Sequence, residues 1–188
     1  MIQEIINQEK PTGGENRIKK PRTISNEEAK IIRKHLNHQD KLIFDLSIET
    51  GLRISDILKL KKREICKIMY IRESKTKKHK IIELSEQLYE RLKTLKNDSS
   101  NYAFNSPILS DKHLHRVTYH RHLKFAARAT GIACSAHSTR KLYAWNIFER
   151  NKNIFEVQKA LNHKYITTTA AYLDIDLAGL IRDTVQQK

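Results

Sequence analysis

Apolar and polar positions along the chain follow two rhythms, and most of the length keeps the helical one. Ser25 and Glu28 form a capping-box signature, and Ala29, Ile32 and Leu36 continue at helical spacing to about Asn37. A second periodic stretch covers 40–49 and stops at Thr50-Gly51, where glycine suits a helix end. A short helix is predicted over 55–60. The rhythm then changes to strand-forming residues at 67–74 and 80–84, which enclose a lysine-dense interval and predict a hairpin with a basic tip. Helical spacing resumes after Ser85 through Leu88, Leu92 and Leu95, residues 97–106 read as loop, and 115–129 read as a helix ended by Gly131. Leu123, Ala126 and Ala127 share one face of that helix. Further helices are predicted at 136–150, 154–161, 168–173 and 176–185. The fold class is therefore mainly α with a small β-hairpin or sheet.

Residues 1–22 break the pattern. Pro11, Gly13, Gly14 and Pro21 lie among polar residues that end in Lys19-Lys20-Pro21-Arg22, which predicts a flexible basic arm ahead of one domain over 23–188. A chain of 188 residues can bury a core without disulfides or structural metal. Charge narrows the functional classes: a formal +15 attracts polyanions, of which nucleic acid is the commonest, although DNA, RNA and an anionic membrane all satisfy charge alone. No stretch approaches the roughly 18 apolar residues of a membrane helix, and the N-terminus lacks a secretory apolar core. An intracellular, cytoplasmic protein is expected. Cys66 and Cys134 form no CxxC pair and read as core or incidental thiols of a reducing compartment.

Phosphoryl transfer requires an in-line nucleophile, cationic donors on the non-bridging oxygens and a proton source for the leaving oxygen. A basic protein without carboxylate clusters would draw these from Arg, His, Lys and a hydroxyl. Thr50-Gly-Leu-Arg53-Ile-Ser-Asp56-Ile-Leu58 sets Arg53 just after a glycine turn near a helix start, with Asp56 in reach to orient it or to cap the helix. His137-Ser-Thr-Arg140 puts an imidazole and a guanidinium one helical turn apart, on one face. Leu161-Asn162-His163 and Tyr172 complete the candidate set. Taken singly, each is ordinary surface or packing.

Their joint order and spacing resemble the tyrosine recombinase (phage integrase) family across roughly 22–176. TGLRISDIL resembles its first arginine box, HSTR the second, and LNH with TTTAAY the closing histidine and nucleophile segment. Lys75, in Ser-Lys-Thr, falls at the hairpin position where the family carries a catalytic lysine, with Lys77, Lys78 and Lys80 in the same tip as the alternatives. The resemblance implies a DNA breaking-rejoining fold and metal-independent, cofactor-free site-specific recombination through a 3′-phosphotyrosyl link to Tyr172. Arg53 and Arg140 would clamp the scissile phosphate, His163 would add a hydrogen bond, His137 would act as general acid/base, and Lys75 would protonate the 5′ oxygen. Thr139, Lys141 and Asn162 depart from the family's usual Leu, His and Gly. With only the short arm expected ahead of the catalytic domain, the chain resembles the small single-domain members.

Double-stranded DNA is thus the expected partner, with Lys19, Lys20, Arg22, Lys77, Lys78 and Lys141 as candidate DNA contacts. Ile175, Leu177, Leu180, Ile181 and Val185 lie at near-helical spacing after Tyr172; they are expected either to pack on a neighbouring protomer in a homo-oligomer, a tetramer on DNA, or to pack in cis. His113, His115, His120 and His122 lack Cys or acidic companions at ligand spacing and read as a basic helix face, with no metal expected. Tyr143, Trp145, Ile147, Phe148 and Phe155 read as core. A type IB topoisomerase-like nicking and resealing enzyme and a non-catalytic DNA-binding regulator remain alternatives on the same fold.

Overall fold

A computed structural model describes residues 23–97, 100–109 and 111–179. Lys19, Lys20, Arg22, Leu180, Ile181 and Val185, named above, lie outside them. The first helix, α1 (Asn26–Lys34), starts at the capping box, with the Glu28 N–H donating to Ser25 Oγ and the Ser25 N–H to Glu28 Oε2. Asn37 caps α2 (His38–Thr50) through the Asp40 N–H. Gly51 closes α2 at φ 62°, and a Cβ there would overlap the Tyr143 ring, so both conformation and space require glycine. Arg53 then begins the short α3 (Ile54–Leu58), which starts and stops slightly earlier than its apolar spacing predicts.

The strands β1 (Ile68–Arg72) and β2 (His79–Glu83) pair antiparallel, with Met69 opposite Ile82 and Ile71 opposite Lys80. Met69, Ile71 and Ile82 turn inward. After α4 (Glu86–Lys93) come α5 (Arg116–Thr130, ended by left-handed Gly131), α6 (Ala136–Asn151), α7 (Ile154–Leu161) and α8 (Ile166–Leu173). Among the described residues the architecture is mainly helical with one two-stranded sheet, as the hydrophobic pattern predicts. No helix of the described residues is long and apolar enough to cross a membrane.

Among the described residues, buried side chains form two clusters. The larger joins α1–α5 and the hairpin, and the smaller joins α7 and α8. Helix α6 belongs to both: Ala136 and Leu142 enter the larger cluster, and Ala144, Ile147 and Phe148 enter the smaller. Thr139 of α6 is fully buried, and its hydroxyl meets Ser47 of α2 at 2.7 Å. A leucine there would strand the Ser47 hydroxyl, so the departure at 139 is matched by its neighbour.

Two expectations are corrected. Phe155 is 64% exposed at the start of α7, outside the core that takes Ile147 and Phe148, because the apolar face of α7 is built by Ile154, Val157 and Leu161. The four histidines hold separate posts: His115 caps α5, His122 meets buried Asp40 at 2.7 Å, His113 Nδ1 lies 2.9 Å from the Leu114 carbonyl, and His120 packs beside Tyr119. They do not make one basic face.

Candidate active site

Arg53 enters the site because Gly51 turns the chain back at the end of α2. Its carbonyl accepts the first bonds of α3, from Asp56 and Ile57, while its guanidinium donates to Glu73 Oε2 at 3.0 Å. Glu73 is fully buried, and burial pushes its carboxyl up, but the Thr76 hydroxyl at 2.6 Å and the Arg53 charge outweigh that and hold it below the ordinary value. It is an ionised counter-charge. Asp56 takes a different post from the one expected: its Oδ1 accepts the Ser74 N–H at 3.1 Å. Glu73 orients the guanidinium, and Asp56 anchors the turn that follows. Between them they set Lys75 on the rim of the site.

Helix α6 begins at Ser135, whose hydroxyl and the Ser138 side chain cap each other's backbone N–H. One turn in, His137 is exposed, whereas Arg140 is 6% exposed and donates to the carbonyls of Gly51 and, at 3.0 Å, Leu161. Although part of the residue is exposed, desolvation of its ring against the cleft lowers His137, and the charges of Arg140, Arg116, Arg53 and Lys75 lower it further, so the imidazole is neutral near pH 7.

Helix α7 ends with Asn162 at φ 56°, a left-handed cap that asparagine tolerates better than most residues. That accounts for the departure from glycine. The turn presents His163, whose Nδ1 lies 3.0 Å from Thr169 Oγ1 and whose ring meets Tyr172 edge-on at 5.5 Å. Burial and the charges of Arg140 and Arg53 lower His163 to about 4. Tyr172 on α8 has a buried hydroxyl that makes no regular hydrogen bond among the described residues. Burial raises its pKa, and Arg140 approaches closely enough to oppose that rise in part.

Arg53, Lys75, His137, Arg140, His163 and Tyr172 line one cleft of about 480 Å³. Arg116, at the start of α5, joins them; its position right after the His115 cap is the only hint the chain offers. Glu73 also went unnoticed, although it continues the inward parity of Met69 and Ile71, where an acid must find a partner. Lys77 and Lys78 are exposed on the hairpin turn, away from the cleft lining. Lys141 departs from the expectation of a DNA contact: its side chain is 3% exposed, and its ammonium is held at 2.8 Å by Asp174, just past α8. Ile175 and Leu177 pack in cis against the smaller core.

A family model described as the phage integrase family matches residues 22–178. The chain belongs to the phage integrase family. Among its relatives in that family, the probable integrase/recombinase YoeC of Bacillus subtilis (strain 168) is 34% identical over 147 residues, 74% of this chain and 80% of the relative. Tyrosine recombinase XerA of Thermococcus onnurineus (strain NA1) is 26% identical over 171 residues, 85% of this chain and 60% of the relative. The crystal structure of a XerA recombinase matches with a TM-score of 0.71 at 19% identity, over 94% of this chain and 66% of that chain. A lambda integrase tetramer bound to a Holliday junction matches with a TM-score of 0.65 at 22% identity, over 82% of this chain and 48% of that one. The fold of this family member is thus that of tyrosine recombinase catalytic domains, and it spans less than two thirds of the XerA chains.

Proposed function

We propose that the chain is a site-specific DNA recombinase that cuts and rejoins double-stranded DNA through a covalent 3′-phosphotyrosyl intermediate on Tyr172. The observation that carries this reading is the convergence of two guanidinium groups, two imidazoles, an ammonium and a phenol on one cleft. In this reading Arg53 and Arg140 hold the non-bridging oxygens of the scissile phosphate, and His163 donates a further hydrogen bond. The Tyr172 oxygen attacks phosphorus, His137 takes its proton, the bond to the 5′ oxygen breaks, and Lys75 protonates that oxygen. One phosphodiester replaces another, so a 5′ hydroxyl from a second strand can reverse the step without ATP. Because the Tyr172 hydroxyl is buried, α8 shifts before attack.

Lys77 and Lys78 on the hairpin turn, together with Lys19, Lys20 and Arg22, serve as backbone contacts in this reading, and the protein assembles as a tetramer on DNA, in the cytoplasm, through its C-terminal segment. The test is covalent capture from a pool of random-sequence duplexes carrying nicks that let the 5′ fragment diffuse away after cleavage. A protein–DNA adduct on a denaturing gel, absent with Tyr172→Phe, is the expected result. The captured duplex then serves as substrate: strand exchange between two copies distinguishes recombination from simple supercoil relaxation. No adduct from any duplex, with the protein folded, sinks the reading.

A further inference from the structure

Next to Arg140 two helix ends meet. The last carbonyls of a helix have no partner within it and carry partial negative charge. Those of Thr50 and Gly51, at the end of α2, converge with those of Ala160 and Leu161, at the end of α7. Arg140 bridges one member of each pair, Gly51 and Leu161. Lys80 bridges the other two: its Nζ donates to the Thr50 carbonyl at 2.6 Å and to the Ala160 carbonyl at 2.8 Å. Its remaining direction is filled by Tyr143, with the hydroxyl at 3.5 Å and the ring centroid at 4.9 Å. Helix α2 has no basic residue of its own in its last turn.

Lys80 shares a lysine-rich segment with Lys75, Lys77 and Lys78, yet it does none of their work. It sits in β2, on the same inward face as Ile82, and its ammonium is spent on backbone. The residues it serves lie just beyond the tied carbonyls. Arg53 follows Gly51 by two positions and His163 follows Leu161 by two. We propose that Lys80 is a positioning residue of the catalytic cleft, tying the C-terminal ends of α2 and α7 beside Arg140 so that Arg53 and His163 keep their spacing around one phosphate. The activity readout of this inference rests on the recombinase reading; its geometric readout does not.

Titration supplies a discriminating window. Burial lowers Lys80 to about 8, with Arg140 and Arg53 opposing its proton and Glu73 favouring it; Tyr143, raised by burial, is the other titratable group against it. A cation lowered in the folded state carries its penalty below about 8 and is relieved as pH rises toward the unfolded value. Global stability therefore does not fall through this window on account of Lys80. The bonds to Thr50 and Ala160 do weaken, because a neutral amine donates less strongly than an ammonium. Loosening of the cleft near pH 8 then reports the tie and not unfolding.

The experiment follows carbon-13 resonances of Arg53 and His163 across pH in the full chain and in Lys80→Met and Lys80→Arg. In the unaltered protein both residues are expected to show an inflection near 8 that Lys80→Arg lacks. His163, which titrates at about 4, is expected to move by a unit or more toward 6.5 in Lys80→Met. Adduct formation on the captured duplex is expected to fall about 100-fold in Lys80→Met, the scale of a displaced reacting group, and to return within a few-fold in Lys80→Arg. Unchanged Arg53 and His163 signals in a folded Lys80→Met overturn the proposal whatever the adduct yield. Should that variant not fold, Lys80→Gln is read in its place, and unchanged Arg53 and His163 signals there overturn the proposal. Failure of the unaltered protein to form any adduct refutes the recombinase reading and leaves the resonance test standing.

Discussion

Glu73→Gln keeps the size and one hydrogen-bonding oxygen of the side chain and removes its charge. Glu73 has no exposed surface, but Arg53 retains 22%, so the guanidinium can regain water once its partner is neutral. The cost therefore falls between an exposed pair, worth about 0–1 kcal/mol, and a fully buried charge left alone, about 3–5 kcal/mol; about 2 kcal/mol is expected. The carboxyl is lowered in the fold, so its contribution is present above the unfolded carboxylate value and is lost as pH falls through the folded one. Urea denaturation should show the variant about 2 kcal/mol less stable at pH 7, with the gap closing below the ordinary carboxylate range. Cleavage should drop by about tenfold to a hundredfold as Arg53 loses its orientation, while nonspecific DNA affinity does not fall, because the site has lost a negative charge. Equal stability at pH 7, or a deficit that ignores pH, would refute the idea of Glu73 as an ionised counter-charge.

Tyr172→Phe should abolish the adduct and match or exceed the parent in stability by up to about 1 kcal/mol, since it deletes a buried hydroxyl without a regular partner among the described residues; calorimetry decides, and a clear loss would mean that the hydroxyl is bonded. Asn162→Gly should raise stability by about 1 kcal/mol, because it relieves a left-handed backbone and removes a buried amide nitrogen that meets no acceptor among the described residues. A lower melting temperature would count against that. Arg140→Ala should cut adduct formation by about 100- to 1,000-fold and also cost about 2–3 kcal/mol in urea, because it opens two carbonyl bonds as well as the proposed phosphate clamp. Most salt-sensitive DNA binding should survive it, as measured by filter retention.

Local chemistry made much of the fold legible. Ser25 with Glu28, Gly51 and Gly131 mark helix ends by conformational need, and these needs do not depend on distant residues. The inward parity of Met69 and Ile71 is equally local. Charged residues that turn inward were harder, because what decides their direction is a partner far along the chain. Lys141 looks like surface until Asp174 arrives from beyond α8, and Lys80 looks like hairpin tip until two helix ends present their carbonyls. Glu73 was missed for the same reason, Asp56 being the acid expected beside its partner Arg53. The cleft residues themselves stood out through order along the chain, which says nothing of Arg116, brought in by the start of α5.

The division of the interior into two clusters joined along α6 has a thermal consequence. His163 and Tyr172 ride on the smaller cluster, whereas Arg53 and Lys75 ride on the larger. The smaller one has less apolar surface to lose and should open first on warming, as a separate cooperative unit. Cleavage should then fail several degrees below the temperature at which DNA is released. In that interval the protein would occupy DNA without cutting it, a heat-dependent bystander that regains activity on cooling.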